Sequence, residues 1–307
     1  MYVAGINGMV GSAIAIEAKS QGYDVTGKSS RDLDLTNRKS VFDEMSQIRP
    51  DILVIAAAKV GGIGANSNLP VDFLSVNLQI QTNLLDAAHH YEIERVLFLG
   101  SSCIYPRLAA QPIAESSLLT GELEPTNESY AIAKIAGLKL VEAYRRQFGH
   151  RWISAMPTNL YGPRDNFNVE TAHVLPALIH RFHIANLADA KSVDIWGDGS
   201  PLREFLHVED LARACLILLT SYDEPTPINV GSGDEVSIQD LARLISNTVG
   251  YGGEITFNNS KPNGTPRKFL DSTRMRELGW RPQYNLKTGI ASTYDWFVAN
   301  NQEGSSL

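Results

Sequence analysis

A phenol and an ammonium stand four residues apart at Tyr130 and Lys134, in the run Ser129-Tyr-Ala-Ile-Ala-Lys-Ile-Ala-Gly137. On a helix that spacing puts both on one face, a turn apart. A free tyrosine, with a pKa of about 10, is a poor acid or base at neutral pH, and a neighbouring cation is expected to draw it toward working range. Upstream, the apolar Val96-Leu-Phe-Leu99 ends in Gly100-Ser-Ser-Cys103, whose Ser101 hydroxyl could orient a substrate oxygen against the phenol. Tyr-x-x-x-Lys alone occurs on many solvated helices, so the elements around it must decide its meaning.

Those elements begin at the N-terminus. A short apolar strand, Tyr2-Val-Ala4, runs into Gly5-Ile-Asn-Gly8-Met-Val-Gly11 and then into a helical run, Ser12 to Ser20. Glycines three apart between strand and helix let the backbone turn tightly and approach a pyrophosphate, with the helix N-terminus facing the phosphates. Gly5, Asn7, Gly8, Met9, Val10 and Gly11 are therefore candidate dinucleotide contacts. A second strand is expected at Asp24-Val-Thr26. Beyond it, where a carboxylate would commonly hold the ribose hydroxyls of NAD, the chain has Lys28, Ser29, Ser30 and Arg31. An acid there would repel a 2′-phosphate and an arginine binds one, so NADP(H) is the expected cofactor, with Arg31 its discriminating contact.

Apolar strands then alternate with helix-length segments: Ile52 to Ala57, Val71 to His89, Arg95 to Leu99, Tyr130 to Phe148 and Trp152 to Met156. Such alternation predicts an α/β fold, a Rossmann-type doubly wound parallel sheet covered on both faces, with a smaller α/β substrate-binding lobe. Prolines interrupt the pattern after about residue 160. The expected division is an NADP-binding Rossmann domain over 1–160, with a return segment near 203–232 ending in the strand Ile228-Asn-Val230, and a mainly substrate-binding lobe over 161–307. Ligands of open α/β sheets collect at the carboxyl ends of the strands. That rule brings the glycine loop, Ala56-Ala-Ala-Lys-Val-Gly-Gly62, Gly100 to Cys103 and Pro157-Thr-Asn-Leu-Tyr-Gly-Pro163 to one pocket. Small residues such as Ala57 would let the dinucleotide lie close.

The 307 residues, 43% of them hydrophobic, suffice for a large core. With 27 basic against 34 acidic residues the net charge is −7, and the basic residues form no stripe, which argues against nucleic acid or a membrane surface as partner. No apolar run approaches the roughly 20 residues of a membrane span, and a strand stands where a signal peptide would, so the expectation is a cytoplasmic protein. Two cysteines, Cys103 and Cys215, suggest a reducing compartment rather than a disulfide framework. No metal site is expected. The polar end, Asn300 to Leu307, should fray.

At the level of whole stretches the chain resembles the extended short-chain dehydrogenase/reductases and, within them, the GDP-L-fucose synthases. The resemblance spans nearly the full length. It is carried by Gly8 to Ile14, Ala56 to Ile63, Phe98 to Pro106, Glu124 to Gly137, Met156 to Pro163, Arg203-Glu-Phe-Leu-His-Val208 and Lys261-Pro-Asn-Gly-Thr-Pro-Arg-Lys268. It implies inversion at C3 and C5 of GDP-4-keto-6-deoxy-D-mannose, followed by NADPH-dependent reduction of the C4 ketone. In that scheme Ser101 and Tyr130 polarise the C4 oxygen, and Tyr130 protonates it as hydride arrives. Cys103 and His173 match the family's base and acid for the inversions. Arg181, Trp196, Arg203 and Asp271 match its substrate contacts. Lys134 reaches the nicotinamide ribose, while Pro157, Asn159, Leu160 and His173 border the cofactor.

One departure stands out: many relatives carry an arginine where this chain has Asn7, so Arg31 must carry more of the preference for NADPH. In the extended reductases two helices per subunit meet as a four-helix interface. Apolar positions here, Leu78, Leu84, Leu85, Ile132, Ile135 and Leu140, predict the same homodimer. Two other functions fit the motifs less well. One is another NAD(P)-dependent nucleotide-sugar epimerase or reductase of this superfamily; dehydratases usually add an acidic pair where Ser101-Ser-Cys103 stands. The other is a non-catalytic NADP-binding sensor, a class that often loses the Tyr or Lys retained here.

Overall fold

The computed structural model describes residues 1–260 and 263–301. Lys261 and Pro262, and the tail from 302, lie outside the described residues. The strands, in chain order, are β1 (Tyr2–Ala4), β2 (Ile52–Ile55), β3 (Arg95–Leu99), β4 (Ile153–Pro157), β5 (Asn159–Tyr161), β6 (Ser192–Trp196), β7 (Leu202–His207), β8 (Ile228–Val230), β9 (Glu235–Ser237), β10 (Glu254–Asn258) and β11 (Arg267–Lys268). The helices are α1 (Met9–Ser20), α2 (Arg38–Ile48), α3 (Ile63–Asn68), α4 (Asn77–His90), α5 (Glu128–Phe148), α6 (Val174–Leu187), α7 (Val208–Ser221), α8 (Ile238–Val249), α9 (Thr273–Glu277) and α10 (Leu286–Asn301).

Five strands make a parallel sheet in the order β1-β2-β3-β4-β8. These strands are apolar on both faces, as Val96, Leu97, Phe98 and Leu99 in β3 show, because helices cover both sides. Cores lie on either side of it: Ile14, Ala18, Leu211 and Leu218 of α1 and α7 on one, Leu84, Leu85, Leu138 and Val141 of α4 and α5 on the other. A third core, with Leu175, Ile179 and Phe182 of α6 and Leu241 and Ile245 of α8, lies in the C-terminal half. There β6 pairs with β10, and β7 hydrogen-bonds to β5, β9 and β11. The chain passes from one sheet to the other at Thr158, whose N–H donates to Val230 O and whose hydroxyl donates to Glu204 O.

After β7 the chain runs through α7 into β8, which pairs in parallel with β4 at the edge of the five-stranded sheet. Three local expectations change. The strand foreseen at 24–26 shrinks to one bridge, Thr26 with Tyr2, because Gly27 passes so near β1 that a Cβ there would lie 2.4 Å from Val3 O. The helix foreseen from Val71 to His89 opens with a wide π-helical turn, Asp72–Val76, before α4. Asn77, at its end, donates to Lys59 O and Phe73 O and accepts from Lys59 N. Finally, Leu84 and Leu85 are wholly buried in the chain's own core and offer nothing to a partner; Ile132 is exposed, and Leu78, Ile135 and Leu140 are half-buried. No helix among the described residues is long and apolar enough to cross a membrane.

Candidate active site

Parallel strands end at one edge, and the chemistry-bearing side chains follow from that. Past β3, Ser101 adopts an extended conformation and its Oγ accepts from Cys103 N at 3.2 Å, starting a single 3₁₀ turn over Ser102–Ile104. This turn presents Ser101 and Cys103 together and buries Ser102 and Ile104 beneath them. From the other side α5 delivers Tyr130 and Lys134. The Tyr130 phenol hydrogen-bonds with Ser101, and its ring meets Phe73 edge-on at 6.4 Å. Lys134 is buried, and its Nζ donates to Leu99 O at 2.8 Å.

The electrostatics differ from the simple expectation for a Tyr–Lys pair. Burial, with the adjacent Cys103 charge, raises the Tyr130 pKa, and only the Ser101 hydrogen bond opposes it. Burial lowers Lys134 to about 8, and its ammonium, fixed on the Leu99 carbonyl, does not offset the desolvation of the phenol. Tyr130 is therefore a neutral phenol near pH 7, a proton donor rather than a base.

Cys103 behaves oppositely. Burial alone would push its thiol up, but the Lys268 ammonium, the Ser101 and Lys268 hydrogen bonds and the Arg203 charge together bring it below the usual thiol value. Lys268 Nζ donates to Cys103 Sγ at 3.2 Å. His173 precedes the first residue of α6, with no hydrogen bond from its side chain into the helix, and is solvent-accessible at the edge of this group. Desolvation, then the Lys268 charge, lowers its pKa, so the imidazole is mostly neutral at pH 7. Lys268 thus acts on both residues matched to the inversions. No role was foreseen for it, although it ends the stretch 261–268 that carries the resemblance.

Gly61 and Gly62 place His173. Gly62 N donates to Thr171 O at 2.9 Å, and a Cβ on Gly62 would lie 2.4 Å from Ala172 O. The close approach here is therefore made by the backbone that leads into His173, a use of these glycines that sequence reasoning missed. Ala57 does border the glycine loop: Gly5 has φ +86°, and a Cβ there would lie 2.9 Å from Ala57 N and Cα.

The loop fits a dinucleotide. A Cβ on Gly11 would lie 2.1 Å from Gly5 O, so only glycine permits the turn that aims the start of the 12-residue α1 at the sheet edge, and no acid occupies that first turn. Met9 and Val10 sit half-buried in the turn, and Asn7 and Gly8 are exposed. Arg31 is exposed and in no ion pair among the described residues, whereas Lys28 is paired with Glu44. Asp32 accepts from the Ser29 hydroxyl beside it. Pro157 ends β4, and Asn159 Nδ2 donates to Glu204 O at 2.8 Å next to the half-buried Leu160. These residues would hold NADP(H), which supplies a hydride when bound.

The contacts of the four expected substrate residues are these. Arg203 joins the Cys103 group through its charge. Arg181 lies over the Trp196 ring, 5.9 Å from its centre, and donates to Asp194 O at 3.2 Å, forming a cation–aromatic pair. Trp196 is 52% exposed on β6, where the alternate residues Val193 and Ile195 are buried. Asp271 acts within its own turn, where its Oδ1 accepts from Thr273 N at 3.0 Å at the start of α9, and hydrogen bonding to Thr273 keeps its carboxyl below the usual range.

Residues 1–231 match the NAD dependent epimerase/dehydratase family. A GDP-L-fucose synthase of Arabidopsis thaliana is 53% identical over 301 residues, 98% of this chain and 93% of that protein. The GDP-L-fucose synthase of Escherichia coli K12 is 49% identical over 310 residues, covering 98% and 97%. Among solved structures, a GDP-L-fucose synthetase from Naegleria fowleri bound to NADP superposes with a TM-score of 0.90 at 30% identity, over 98% of this chain and 93% of that one. With a five-stranded parallel sheet, a glycine loop before α1 and Ser101, Tyr130 and Lys134 at the strand ends, the chain belongs to the NAD-dependent epimerase/dehydratase family and, within it, to the GDP-L-fucose synthases.

Proposed function

We propose that this protein converts GDP-4-keto-6-deoxy-D-mannose to GDP-L-fucose by inverting C3 and C5 and reducing C4 with NADPH. The observation that carries the reading is the joint placement of a neutral phenol and a charge-stabilised thiol on one serine. Ser101 and Tyr130 grip the C4 oxygen. Protons on the carbons beside a ketone become acidic when the resulting enolate oxygen is stabilised, so the same two donors serve the inversions. Cys103 takes the proton from one face of the ring, and His173, from α6, returns one to the other. A neutral imidazole is a weak donor, so His173 must bind a proton during turnover before giving it back. Tyr130, kept protonated at neutral pH by burial, then hands its proton to the C4 oxygen as hydride arrival makes that oxygen strongly basic.

In this proposal Arg181 and Trp196 would receive the nucleotide end of the substrate, with Arg203 nearer the sugar. In this reading residues 1–160 and the 203–232 return hold the cofactor, the rest mainly forms the substrate lobe, and Asp271 acts through the turn at Thr273. NADPH should give a higher kcat/KM than NADH. We also read the chain as a cytoplasmic homodimer joined through α4 and α5, with Ile132 as its exposed apolar contact; light scattering at micromolar protein should return twice the chain mass.

The central test is turnover of the keto sugar with NADPH in deuterated water. Deuterium at both C3 and C5 of the product is expected. Product without label at either carbon would remove the inversion chemistry.

A further inference from the structure

We propose that Lys268 is the positioning residue of the inversion stage, its ammonium serving as the counter-charge that holds the Cys103 side chain as a thiolate facing the sugar. The geometry begins in β11, only two residues long and paired in parallel with β7 so that Lys268 stands opposite Arg203. Neighbours along a strand point to opposite faces. Arg267 turns to one side, where its guanidinium makes two 2.8 Å hydrogen bonds to Glu235 of β9. Lys268 turns to the other, where its Nζ reaches Cys103 Sγ at 3.2 Å.

The backbone that follows is fixed on both sides. Phe269 N donates to Gln111 Oε1, Ile113 N donates to Phe269 O, and Leu270 N donates to the buried Glu204 carboxylate. An ammonium on a flexible stem is thus delivered by an anchored strand, which limits how far it can drift from the sulfur. Among the described residues, the charged or titratable groups that act on the thiol are Tyr130 from α5, Lys268 from β11 and Arg203 from β7, with His173 at the start of α6 coupled to Lys268. Glu124 faces Arg203 rather than Cys103, and itself pairs with Arg107 and accepts from Thr265. Among the described residues Arg203 and Lys268 are the two cations of the group, and Lys268 is the one in hydrogen-bond contact with sulfur.

The consequence divides the reaction. Proton removal from carbon needs the thiolate, whereas hydride arrival at C4 needs Ser101 and Tyr130. Loss of Lys268 should therefore strike inversion and spare reduction.

The experiment follows Cys103 directly, as the rate of alkylation by iodoacetamide against pH. Cys215, fully buried in α7, supplies no competing signal in the folded protein. In Lys268→Met the alkylation midpoint should rise by at least one pH unit, and in Lys268→Arg, which keeps a cation, it should stay within half a unit of wild type. The Lys268→Arg and Lys268→Gln pair carries the test should the methionine variant not fold. A profile unchanged in Lys268→Met or Lys268→Gln, or one shifted equally in Lys268→Arg, would overturn the assignment. A second arm rests on the epimerase-reductase reading. At pH 7 deuterium entry at C3 and C5 should fall at least tenfold in Lys268→Met. Single-turnover formation of NADPH from GDP-L-fucose and NADP⁺, which reads the hydride step without inversion, should change less than threefold. Equal losses in both would also overturn it. Failure of wild type to exchange would instead strike the functional reading and leave the thiolate pair standing.

Discussion

Two thiols in this chain occupy contrasting surroundings. Cys215 sits inside α7 among Leu211, Leu216 and Leu218, fully buried, and burial alone lifts its pKa to about 12. Cys103 is also desolvated, but it lies at the mouth of the sheet with Ser101, Lys268 and Arg203 around it, and its pKa moves down. Desolvation pushes both thiols the same way. What separates a structural cysteine from a reactive one is the presence of a cation and a hydrogen bond close enough to outweigh the lost water.

The contrast is sharpest where chemistry is read directly. Cys103→Ser should lower deuterium entry at C3 and C5 by about 10²- to 10⁴-fold, the range for removal of a positioned base, because a serine hydroxyl does not ionise beside one ammonium. Equal labelling of the variant and wild type would show that the electropositive nest around Cys103 has no part in inversion. Tyr130→Phe removes an oxygen-directed donor from the same cluster and should cost about 10²- to 10³-fold in ketone reduction. Exchange should suffer less, since Ser101 still grips the oxygen; a variant that reduces normally would displace Tyr130 as the proton donor.

The pH dependence has a definite sign. Cys103 is active as the anion, so inversion should rise with pH through the thiol's pKa and level above it, and the Lys268 and Arg203 charges and the hydrogen bonds from Ser101 and Lys268 shift that rise to lower pH than an unperturbed thiol would give. Rates of exchange measured between pH 5 and 9 at saturating substrate check this. A rise centred at or above the ordinary thiol value would mean that burial, as at Cys215, controls Cys103 too.

Much of this contrast is legible in the chain itself. Ser101, Cys103, Tyr130 and Lys134 lie in two short stretches, one ending an apolar strand and one opening an amphipathic helix, so local pattern places them. The parallel sheet is legible for the same reason. Lys268 is not. It reaches Cys103 from 165 residues away in sequence, out of a polar run whose strand is two residues long, and no periodicity marks it. The small residues from Ala56 to Gly62 read as clearance for a cofactor, but the tight approach that Gly62 permits belongs to the Ala172 backbone that leads to His173. The effect of Lys134 on Tyr130 is misjudged from the sequence because spacing shows proximity, not whether the ammonium is already engaged by a carbonyl or what burial costs the phenolate.

The smallest expected effect tests the other half of the comparison. Cys215 lies against the sheet with no side-chain polar partner among the described residues, so its sulfur works as a small hydrophobe. Serine there would carry a hydroxyl into an apolar core, which costs roughly 1–3 kcal/mol when the group is unpaired. A helical serine can also donate to the carbonyl four residues earlier, here Leu211, which offsets part of that cost. Cys215→Ser should therefore lose about 1–2 kcal/mol of stability, roughly 1.5–3 °C in Tm for a chain of this size, with exchange and reduction unchanged. Thermal unfolding alongside the deuterium assay checks it. A variant that kept its Tm but lost exchange would place Cys215 in communication with the site and break the division between the two thiols.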